Sequence, residues 1–159
     1  MEPIRVALCF LLREDAGVRS VLLGHKKTGF GTGKVVGVGG KLEPGEEAAE
    51  AACREVYEET GMVVRAESLV PAGRILFDFP FRPQLNMDTL LFTTRTWEGD
   101  PAESDEIIPQ WYRVDALPLQ LMWHDAGTWL PLALDGHGPN LRIILNEDNA
   151  TVRAAVPLD

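Results

Sequence analysis

Apolar runs separated by turn-forming residues dominate the first part of the chain. Ile4 to Leu12 is an almost continuous apolar run, which is typical of a strand buried at the centre of a sheet. Asp15 to Gly17 has the composition of a turn, and Val21 to Leu23 is the next apolar run. The pattern therefore predicts two strands before the first glycine-rich segment.

Alternation of apolar and polar residues predicts further strands in the second half. Ser68 to Phe79 and Met87 to Trp97 both alternate, and the proline-rich segment Pro80 to Pro83 lies between them. We therefore expect these two strands to face each other as a hairpin-like pair. Ile107 to Val114 predicts another strand, and Leu141 to Val156 predicts a closing hairpin.

A helix is predicted from Glu47 to Thr60. The stretch holds strong helix formers, and Gly61 after it is a residue that commonly ends helices. Small and aliphatic residues recur at i, i+3, i+4 and i+7, which predicts a buried stripe. The residues of that stripe are Ala49, Ala52, Cys53 and Val56.

Acidic side chains lie on the helix face beside that stripe. Glu55, Glu58 and Glu59 fall within about 100° of one another, so their carboxylates can converge. Converging anions repel one another unless a cation lies among them, and Mg²⁺ prefers oxygen ligands of this kind. Arg54 lies one turn before Glu58, where a guanidinium can orient a carboxylate. The alternative is a solvated acidic face, as on most helices with charge runs.

A second, shorter helix is predicted after Leu121, with Asp125 as its N-cap and Leu134 near its end. Trp123 and Trp129 in this segment can either cover the core or offer stacking surfaces to a flat base. The same two interpretations, core or pocket, hold for three apolar side chains of the predicted strand pair, which are Phe77, Phe79 and Met87.

Three glycines, Gly37, Gly39 and Gly40, stand just before the acidic helix. We interpret them as the place where a strand breaks and presents its backbone to a metal ion and phosphates. The alternative is that they only make a turn.

Other polar residues are candidates for contacts with a ligand. Lys26 follows the second predicted strand by two residues and Lys41 lies within the acidic motif, so both can contact phosphate or serve only as surface charge. We expect Lys27 to be surface charge. Glu106 is either a loop residue or a further metal-binding carboxylate from the opposite wall of the cleft.

Composition and charge narrow the function classes. The 159 residues, 45% of them hydrophobic, suit one compact domain, so we expect a single domain over residues 1–159. The formal charge of −9 argues against nucleic acid or an anionic membrane as partner, since both would be repelled. An acidic protein that holds polyphosphate therefore needs metal ions to reverse the local charge.

The cysteines and the N-terminus predict a cytoplasmic location. Cys9 and Cys53 lie in apolar patterns, which favours small core residues in a reducing compartment over a disulfide or a zinc site. The apolar run Val6 to Leu12 is too short for a signal peptide or a membrane span.

A spaced motif surrounds the acidic helix. Its fixed positions are Gly40, Glu46, Arg54, Glu55, Val56, Glu58, Glu59, Gly61 and Met62. This string resembles the signature box of the Nudix hydrolases, which cleave nucleoside diphosphates linked to a further group, and it matches at every fixed position. The resemblance implies an α/β fold, an α/β/α sandwich with a central mixed β-sheet and a loop-helix-loop catalytic motif.

The same resemblance implies residue roles. Glu55 and Glu59 would be the principal metal ligands, together with the backbone carbonyl of Gly39, and Arg54 would complete the catalytic set. Glu58 would be a further ligand or the base that polarises the attacking water, and members of the family differ on which glutamate is the base. The implied cofactor is Mg²⁺, with Mn²⁺ as the alternative.

A closer resemblance covers most of the chain. The stretches VLLGHKKTGFGTG, GVGGKLEPGE, ESDEIIPQW and LMWHDAGTWLPLAL resemble members of the MutT group that hydrolyse oxidised purine nucleoside triphosphates such as 8-oxo-dGTP. This resemblance implies a pocket for the base, hydrogen-bonded at its edge by Asp125, with Lys26 beneath the nucleotide. The implied apolar walls are Phe30, Phe77, Met87, Trp123 and Trp129, and Gly40 and Lys41 are the remaining expected substrate contacts.

Two departures from that resemblance affect the choice of base. Val36 stands where those hydrolases have an asparagine, and Ala126 stands where they have a second aspartate. Both are base-reading positions, and an unpaired hydrogen-bonding group in a buried site costs about 1–3 kcal/mol.

The sequence therefore predicts a Mg²⁺-dependent hydrolase that converts nucleoside triphosphates to nucleoside monophosphate and pyrophosphate. The expected partner is a small-molecule nucleotide, and the protein is expected to be a monomer or a homodimer. One alternative is another nucleoside diphosphate derivative as substrate, such as a dinucleoside polyphosphate or ADP-ribose. The other is a non-catalytic nucleotide-binding module.

Overall fold

The structure, a computed structural model, describes residues 2–158 of the chain. Within this range it contains eight strands, two α-helices and short 3-10 turns. The strands are β1 (Ile4–Asp15), β2 (Val18–Lys26), β3 (Val35–Lys41), β4 (Val70–Asp78), β5 (Met87–Thr94), β6 (Ile107–Arg113), β7 (Asn140–Leu145) and β8 (Val152–Pro157). The helices are α1 (Ala48–Thr60) and α2 (Ala126–Leu134).

The eight strands form one mixed sheet in the order β6-β2-β3-β1-β5-β4-β7-β8. β1 runs parallel to β5, and β4 runs parallel to β7, whereas the other neighbours are antiparallel. The first half of β1 pairs with β3 and β5, and residues 12–15 pair with β2. The prediction that the first apolar run is a central strand is therefore confirmed.

Side chains of β1 alternate between two buried layers. Ala7, Cys9 and Leu11 pack on the side of α1, whereas Phe10 and Leu12 pack on the side of α2. Because both faces of the strand are buried, its sequence is a continuous apolar run rather than an alternating one. One helix covers each face of the sheet, which confirms the predicted α/β/α sandwich with a central mixed sheet.

The helix α1 begins and ends close to the predicted residues. Glu47 is the N-cap and forms a capping box with Glu50, in which each side chain accepts a hydrogen bond from the backbone N–H of the other residue. Gly61 ends the helix in the left-handed conformation, with φ of 78°, and its N–H donates to the Tyr57 carbonyl. Local sequence signals are therefore sufficient to fix both ends of this helix.

The buried side of α1 differs in part from the predicted stripe. Ala52 and Val56 are buried as predicted, whereas Ala49 and Cys53 are half-buried and pack against the same core cluster. The buried line continues instead through Glu59, which lies three residues after Val56 and is 6% exposed. Four of the five residues from 48 to 52 are alanines, so the apolar pattern allowed more than one rotation of the helix. Contact with the sheet selects the rotation that buries a carboxylate.

The prediction that a strand breaks at Gly37, Gly39 and Gly40 was wrong, because all three lie inside β3. A Cβ at Gly39 would lie 2.1 Å from the backbone oxygen of Ala7 in β1, and one at Gly37 would lie 2.8 Å from the ring of Phe10. The strand continues through these glycines because only residues without a side chain fit so close to β1.

The strands of the second half follow the predicted pattern with shorter ends. β4 and β5 pair antiparallel, with Phe77 opposite Met87. β5 ends at Thr94 rather than at Trp97, because the alternation of apolar and polar residues continues beyond the last residue that pairs with a neighbouring strand. β7 and β8 form the closing hairpin.

The helix α2 is short and follows Asp125 as predicted, but the side chain of Asp125 makes no capping hydrogen bond. Its carboxylate instead accepts a hydrogen bond from the indole N–H of Trp129, one turn further on. Neither α2 nor any other helix within residues 2–158 combines the length and apolarity needed to cross a membrane.

Candidate active site

Three carboxylates meet at the end of α1 and the start of β6. Oxygen atoms of Glu55, Glu59 and Glu106 all lie within 4.8 Å of one another. Glu55 and Glu59 are adjacent because they lie four residues apart on the helix. Glu106 lies in the loop before β6, and its exposed side chain brings the third carboxylate to the other two.

Burial makes this cluster unfavourable without a cation. Burial raises the pKa of Glu59 to about 8, and the charges of Glu55 and Glu106 act in the same direction. The backbone N–H of Gly39 opposes this shift by donating a hydrogen bond of 2.9 Å to Glu59. Burial also raises the pKa of Glu55, against the opposing effect of Arg54. Such carboxylates favour either a proton or a cation between them.

The site fits a hard divalent cation. Its donors are three carboxylates with no cysteine or histidine among them, which is the ligand type of Mg²⁺ or Mn²⁺. The glycine-containing strand beside it leaves the necessary room, because a Cβ at Gly40 would lie 2.6 Å from the carboxylate carbon of Glu55. A glycine at this position therefore lets the carboxylate lie directly against the backbone.

Arg54 orients the acidic residues around the cluster. Its Nε and Nη2 atoms donate to Glu46 at 2.8 and 2.9 Å, and its Nη1 donates to Glu55 at 2.9 Å. Nη2 also donates to the backbone carbonyl of Lys41 at 3.0 Å. The hydrogen bonds from Arg54 lower the pKa of Glu46 to about 2, so this carboxylate stays ionised. Arg54 was predicted to orient Glu58, and its hydrogen bonds extend that role to Glu46 and Glu55.

Glu58, which was expected to converge with Glu55 and Glu59, lies outside the cluster. Successive helix residues are about 100° apart, so Glu58 and Glu59 lie on opposite sides of Glu55. Because Glu59 faces the sheet, Glu58 faces solvent, and its side chain is 46% exposed. Its carboxylate accepts a hydrogen bond of 3.2 Å from Nη1 of Arg54.

Lys27, which was predicted to be surface charge only, holds the loop that carries Glu106. Its ammonium group donates to the carboxylate of Glu103 at 2.5 Å and to the carbonyl of Ser104 at 2.9 Å. Its backbone N–H donates to the carbonyl of Glu106 at 2.8 Å. No local sequence signal links Lys27 to this loop, because the contact depends on the pairing of β2 with β6.

An apolar pocket of about 280 Å³ opens beside the carboxylates. Glu59 and Glu106 contribute to its wall, so the pocket and the cluster are continuous. The nine residues predicted to bind substrate all line it; they are Lys26, Phe30, Gly40, Lys41, Phe77, Met87, Trp123, Asp125 and Trp129.

Two aromatic contacts involve residues of the pocket wall, one near its opening and one against the core. The rings of Phe30 and Trp123 are stacked, with centroids 5.1 Å apart and an interplanar angle of 18°, and Phe30 is 46% exposed. Trp129 packs against Phe10 with centroids 6.1 Å apart and donates to Asp125 at 2.8 Å. Trp129 therefore belongs to both the core and the pocket wall. Burial raises the pKa of Asp125.

The two departures noted in the sequence both fall in this pocket. Val36 and Ala126 line its wall with side chains that cannot form hydrogen bonds. Other lining residues had no individual signal in the sequence, and Asn149 and Ala150 from the β7–β8 hairpin are examples. Their turn composition predicts a loop but not what the loop covers.

One protein-family model matches most of this chain. A family model described as the NUDIX domain matches residues 2–133. The chain belongs to the NUDIX family. This confirms the resemblance drawn from the signature box between Gly40 and Met62.

Similar proteins support the assignment. The NUDIX chain is 47% identical to "Oxidized purine nucleoside triphosphate hydrolase" of Danio rerio over 72% of its own length and 71% of the relative. It is 43% identical to the Mus musculus protein of the same name over the same shares of both chains. A crystal structure of a mutator MutT protein from Bacillus halodurans superimposes with a TM-score of 0.77 and 23% identity, covering 96% of this chain and 95% of that one, which shows the shared fold.

Hydrolases of the NUDIX family generally use divalent metal ions and act on small nucleotide substrates. The three-carboxylate cluster is the candidate site for the metal ion, and the adjoining pocket is the candidate site for the nucleotide.

Proposed function

We propose that this NUDIX protein hydrolyses nucleoside triphosphates carrying an oxidised purine, of the 8-oxo-dGTP type, to nucleoside monophosphate and pyrophosphate. The observation that carries the proposal is the continuity of the carboxylate cluster with an aromatic pocket, since Glu59 and Glu106 belong to both. The names of the two curated relatives, at 47% and 43% identity, support the same substrate class. The biological role would be removal of oxidised nucleotides before they reach DNA.

The acidic residues would hold Mg²⁺, with Mn²⁺ as the alternative ion. The proposed ligands are Glu55, Glu59, Glu106 and the carbonyl of Gly39. When bound, the ion would offset the charge of the polyphosphate and lower the pKa of the attacking water. Glu58 lies outside the cluster, so of its two expected roles, ligand or base, we assign it that of base.

The pocket residues would position the nucleotide. Phe30 and Trp123 present stacked aromatic surface to the base, and Asp125 offers a carboxylate to its edge. Lys26 and Lys41 line the same pocket, and their positive charges would attract the phosphates.

The proposal is tested by incubating the protein with a panel of nucleotides and separating the products by chromatography. The panel contains 8-oxo-dGTP, dGTP, dATP, a dinucleoside polyphosphate and ADP-ribose. We expect 8-oxo-dGTP to yield its monophosphate and pyrophosphate with Mg²⁺, and no product after chelation of the metal. Absence of hydrolysis of every nucleotide with Mg²⁺ or Mn²⁺ would support a non-catalytic binding module instead.

A second candidate function keeps the chemistry and changes the substrate. Val36 and Ala126 leave apolar wall where the resembling hydrolases carry base-reading groups, and this favours another nucleoside diphosphate derivative. Preferential hydrolysis of the dinucleoside polyphosphate or of ADP-ribose in the same panel would select this alternative, because each leaves different products.

We also propose a cytoplasmic location, as a monomer or homodimer. Both thiols are free among the described residues, as expected in a reducing compartment.

A further inference from the structure

The β7–β8 hairpin brings an amide side chain to the wall of the base pocket. Asn149, at the tip of this hairpin, lines the pocket together with Ala150. Among the pocket-lining residues within the described range 2–158, it is the one with a side-chain amide. Its Oδ1 atom is buried and has no hydrogen-bond partner among those residues.

Hydrogen bonds within the hairpin hold Asn149 in place. Asn149 adopts the left-handed conformation, with φ of 57°, and its N–H donates to the carbonyl of Asn146 at 2.9 Å. The carboxylate of Asp148 accepts hydrogen bonds from the N–H groups of Ala150 and Thr151, both at 2.9 Å. These hydrogen bonds fix the backbone and leave the amide of Asn149 uncommitted.

A further contact ties the hairpin to another segment of the pocket wall. The N–H of Val152 donates to Nδ1 of His124 at 2.9 Å. His124 lies between Trp123 and Asp125, both of which line the pocket. The hairpin and the segment before α2 are therefore held together, with Asn149 on one and Asp125 on the other.

Buried polar atoms in proteins are rarely left unpaired, because the loss of hydration costs about 1–3 kcal/mol. Such an atom on a pocket wall is available to accept a hydrogen bond from a ligand that fills the pocket. A side-chain amide offers both a donor and an acceptor, which complements a base edge that carries both types of group. A carboxylate such as Asp125 offers only acceptors when ionised.

We propose that Asn149 is a specificity-determining residue that hydrogen-bonds to the purine base, in addition to Asp125. This inference rests on the proposed function, because it requires a nucleotide base in the pocket. Asn149 would give the pocket a hydrogen-bonding contact to the base, which the apolar side chains of Val36 and Ala126 cannot form.

The competing explanation is that Asn149 only forms the turn, since asparagine adopts the left-handed conformation more readily than most residues. Glycine distinguishes the two roles, because it keeps that backbone conformation and removes the amide. Asn149→Asp keeps the size of the side chain and replaces the amide donor with an acceptor. Asn146→Ala is the matched control, because Asn146 lies in the same hairpin, bonds to Thr151 and does not line the pocket.

The experiment measures KM and kcat of each variant for 8-oxo-dGTP, dGTP and dATP, and the affinity for the corresponding monophosphates without metal. Tryptophan fluorescence reports that affinity, since Trp123 and Trp129 line the pocket. We expect Asn149→Gly to raise KM for the preferred nucleotide about tenfold with little change in kcat, and to weaken monophosphate binding by a similar factor. We expect Asn149→Asp to change the order of preference among bases, and Asn146→Ala to change neither quantity.

Unchanged base selectivity in Asn149→Gly, in an otherwise active enzyme, overturns the inference and leaves the proposed function intact. An equal loss for every base in both Asn149 variants also overturns it, because that result indicates support of the hairpin only. A wild-type protein that hydrolyses none of the nucleotides overturns the proposed function instead.

Discussion

The carboxylate cluster and the base pocket lie side by side but are built in different ways. Most of the cluster comes from one stretch of chain, residues 40–62, and only Glu106 joins it from elsewhere. The pocket takes residues from β1, β2, β3, β4, β5, the segment before α2 and the β7–β8 hairpin. The spacing of residues on one helix can thus bring two carboxylates together, whereas a pocket depends on how distant segments pack.

The two regions also differ in what stabilises them. The cluster places repelling carboxylates in a partly buried site, where burial raises the pKa of Glu59 to about 8. The pocket consists mainly of apolar walls that share Trp129 and Phe79 with the core. Removal of metal is therefore expected to affect the first region and to leave the second largely unchanged.

The largest effect is expected from removal of a cluster carboxylate. Glu55→Gln and Glu59→Gln should each reduce turnover by more than about 100-fold, because each loses a proposed metal ligand. Steady-state kinetics with a Mg²⁺ titration would measure this, and circular dichroism would check that the fold is retained. Glu50→Gln is the control, since it makes the same charge change on the same helix and keeps the capping hydrogen bond. Near-normal turnover in both cluster variants would contradict the assignment of this site.

Arg54→Lys should have the next largest effect and would sharpen the distinction between ligand and orienting residue. Lysine keeps the charge, but its donors lie on one nitrogen and cannot reproduce the planar arrangement in which Nε and Nη2 bond to Glu46 while Nη1 bonds to Glu55. We expect turnover or apparent Mg²⁺ affinity to fall about 10- to 100-fold, the usual range for residues that orient metal ligands. A variant with unchanged Mg²⁺ dependence and turnover would show that the guanidinium is not needed to arrange the carboxylates.

Trp123→Ala tests the pocket independently of the cluster. Loss of a stacking surface for a base costs about 1–3 kcal/mol, so KM should rise about 5- to 150-fold. The Mg²⁺ concentration for half-maximal activity should stay unchanged, and Phe81→Ala, an exposed aromatic residue outside the pocket, should have no effect. An equal change in Mg²⁺ dependence would contradict the separation of the two regions.

The smallest effect is expected in the stability of the metal-free protein. The pKa of Glu59 is about 8 in the folded state against an ordinary value of 4.5, so the folded state binds more protons between these pH values. Its contribution to the free energy of unfolding is therefore present below pH 4.5 and is lost as pH rises toward 8. We expect the melting temperature of the wild type, measured with chelator, to fall by several degrees relative to Glu59→Gln over this range. Parallel pH profiles for the two proteins would contradict this, and Mg²⁺ should remove the difference by binding the ionised cluster.

Sequence reasoning was strongest where the decisive signal is local. Gly61 and Glu47 fixed the ends of α1, and the continuous apolar run fixed β1 as a strand buried on both faces. It failed where two segments had to meet, as at Gly37 and Gly39, which permit close packing of β3 on β1 rather than breaking the strand. Lys27 and Asn149 were missed for the same reason, because their partners lie far away in the sequence.

The amino-acid sequence was sufficient to predict the family, the acidic helix and nine residues that line the pocket, because the motif is contiguous and its residue types are chemically constrained. The tertiary structure decided which carboxylates converge. α1 turns against the sheet so that Glu59 is buried and Glu58 is left toward solvent, and the pairing of β2 with β6 brings Glu106 to the cluster. The orientation of α1 depends on the packing energy between the helix and the sheet. Because this energy is distributed over many residues, no single position in the sequence predicts it.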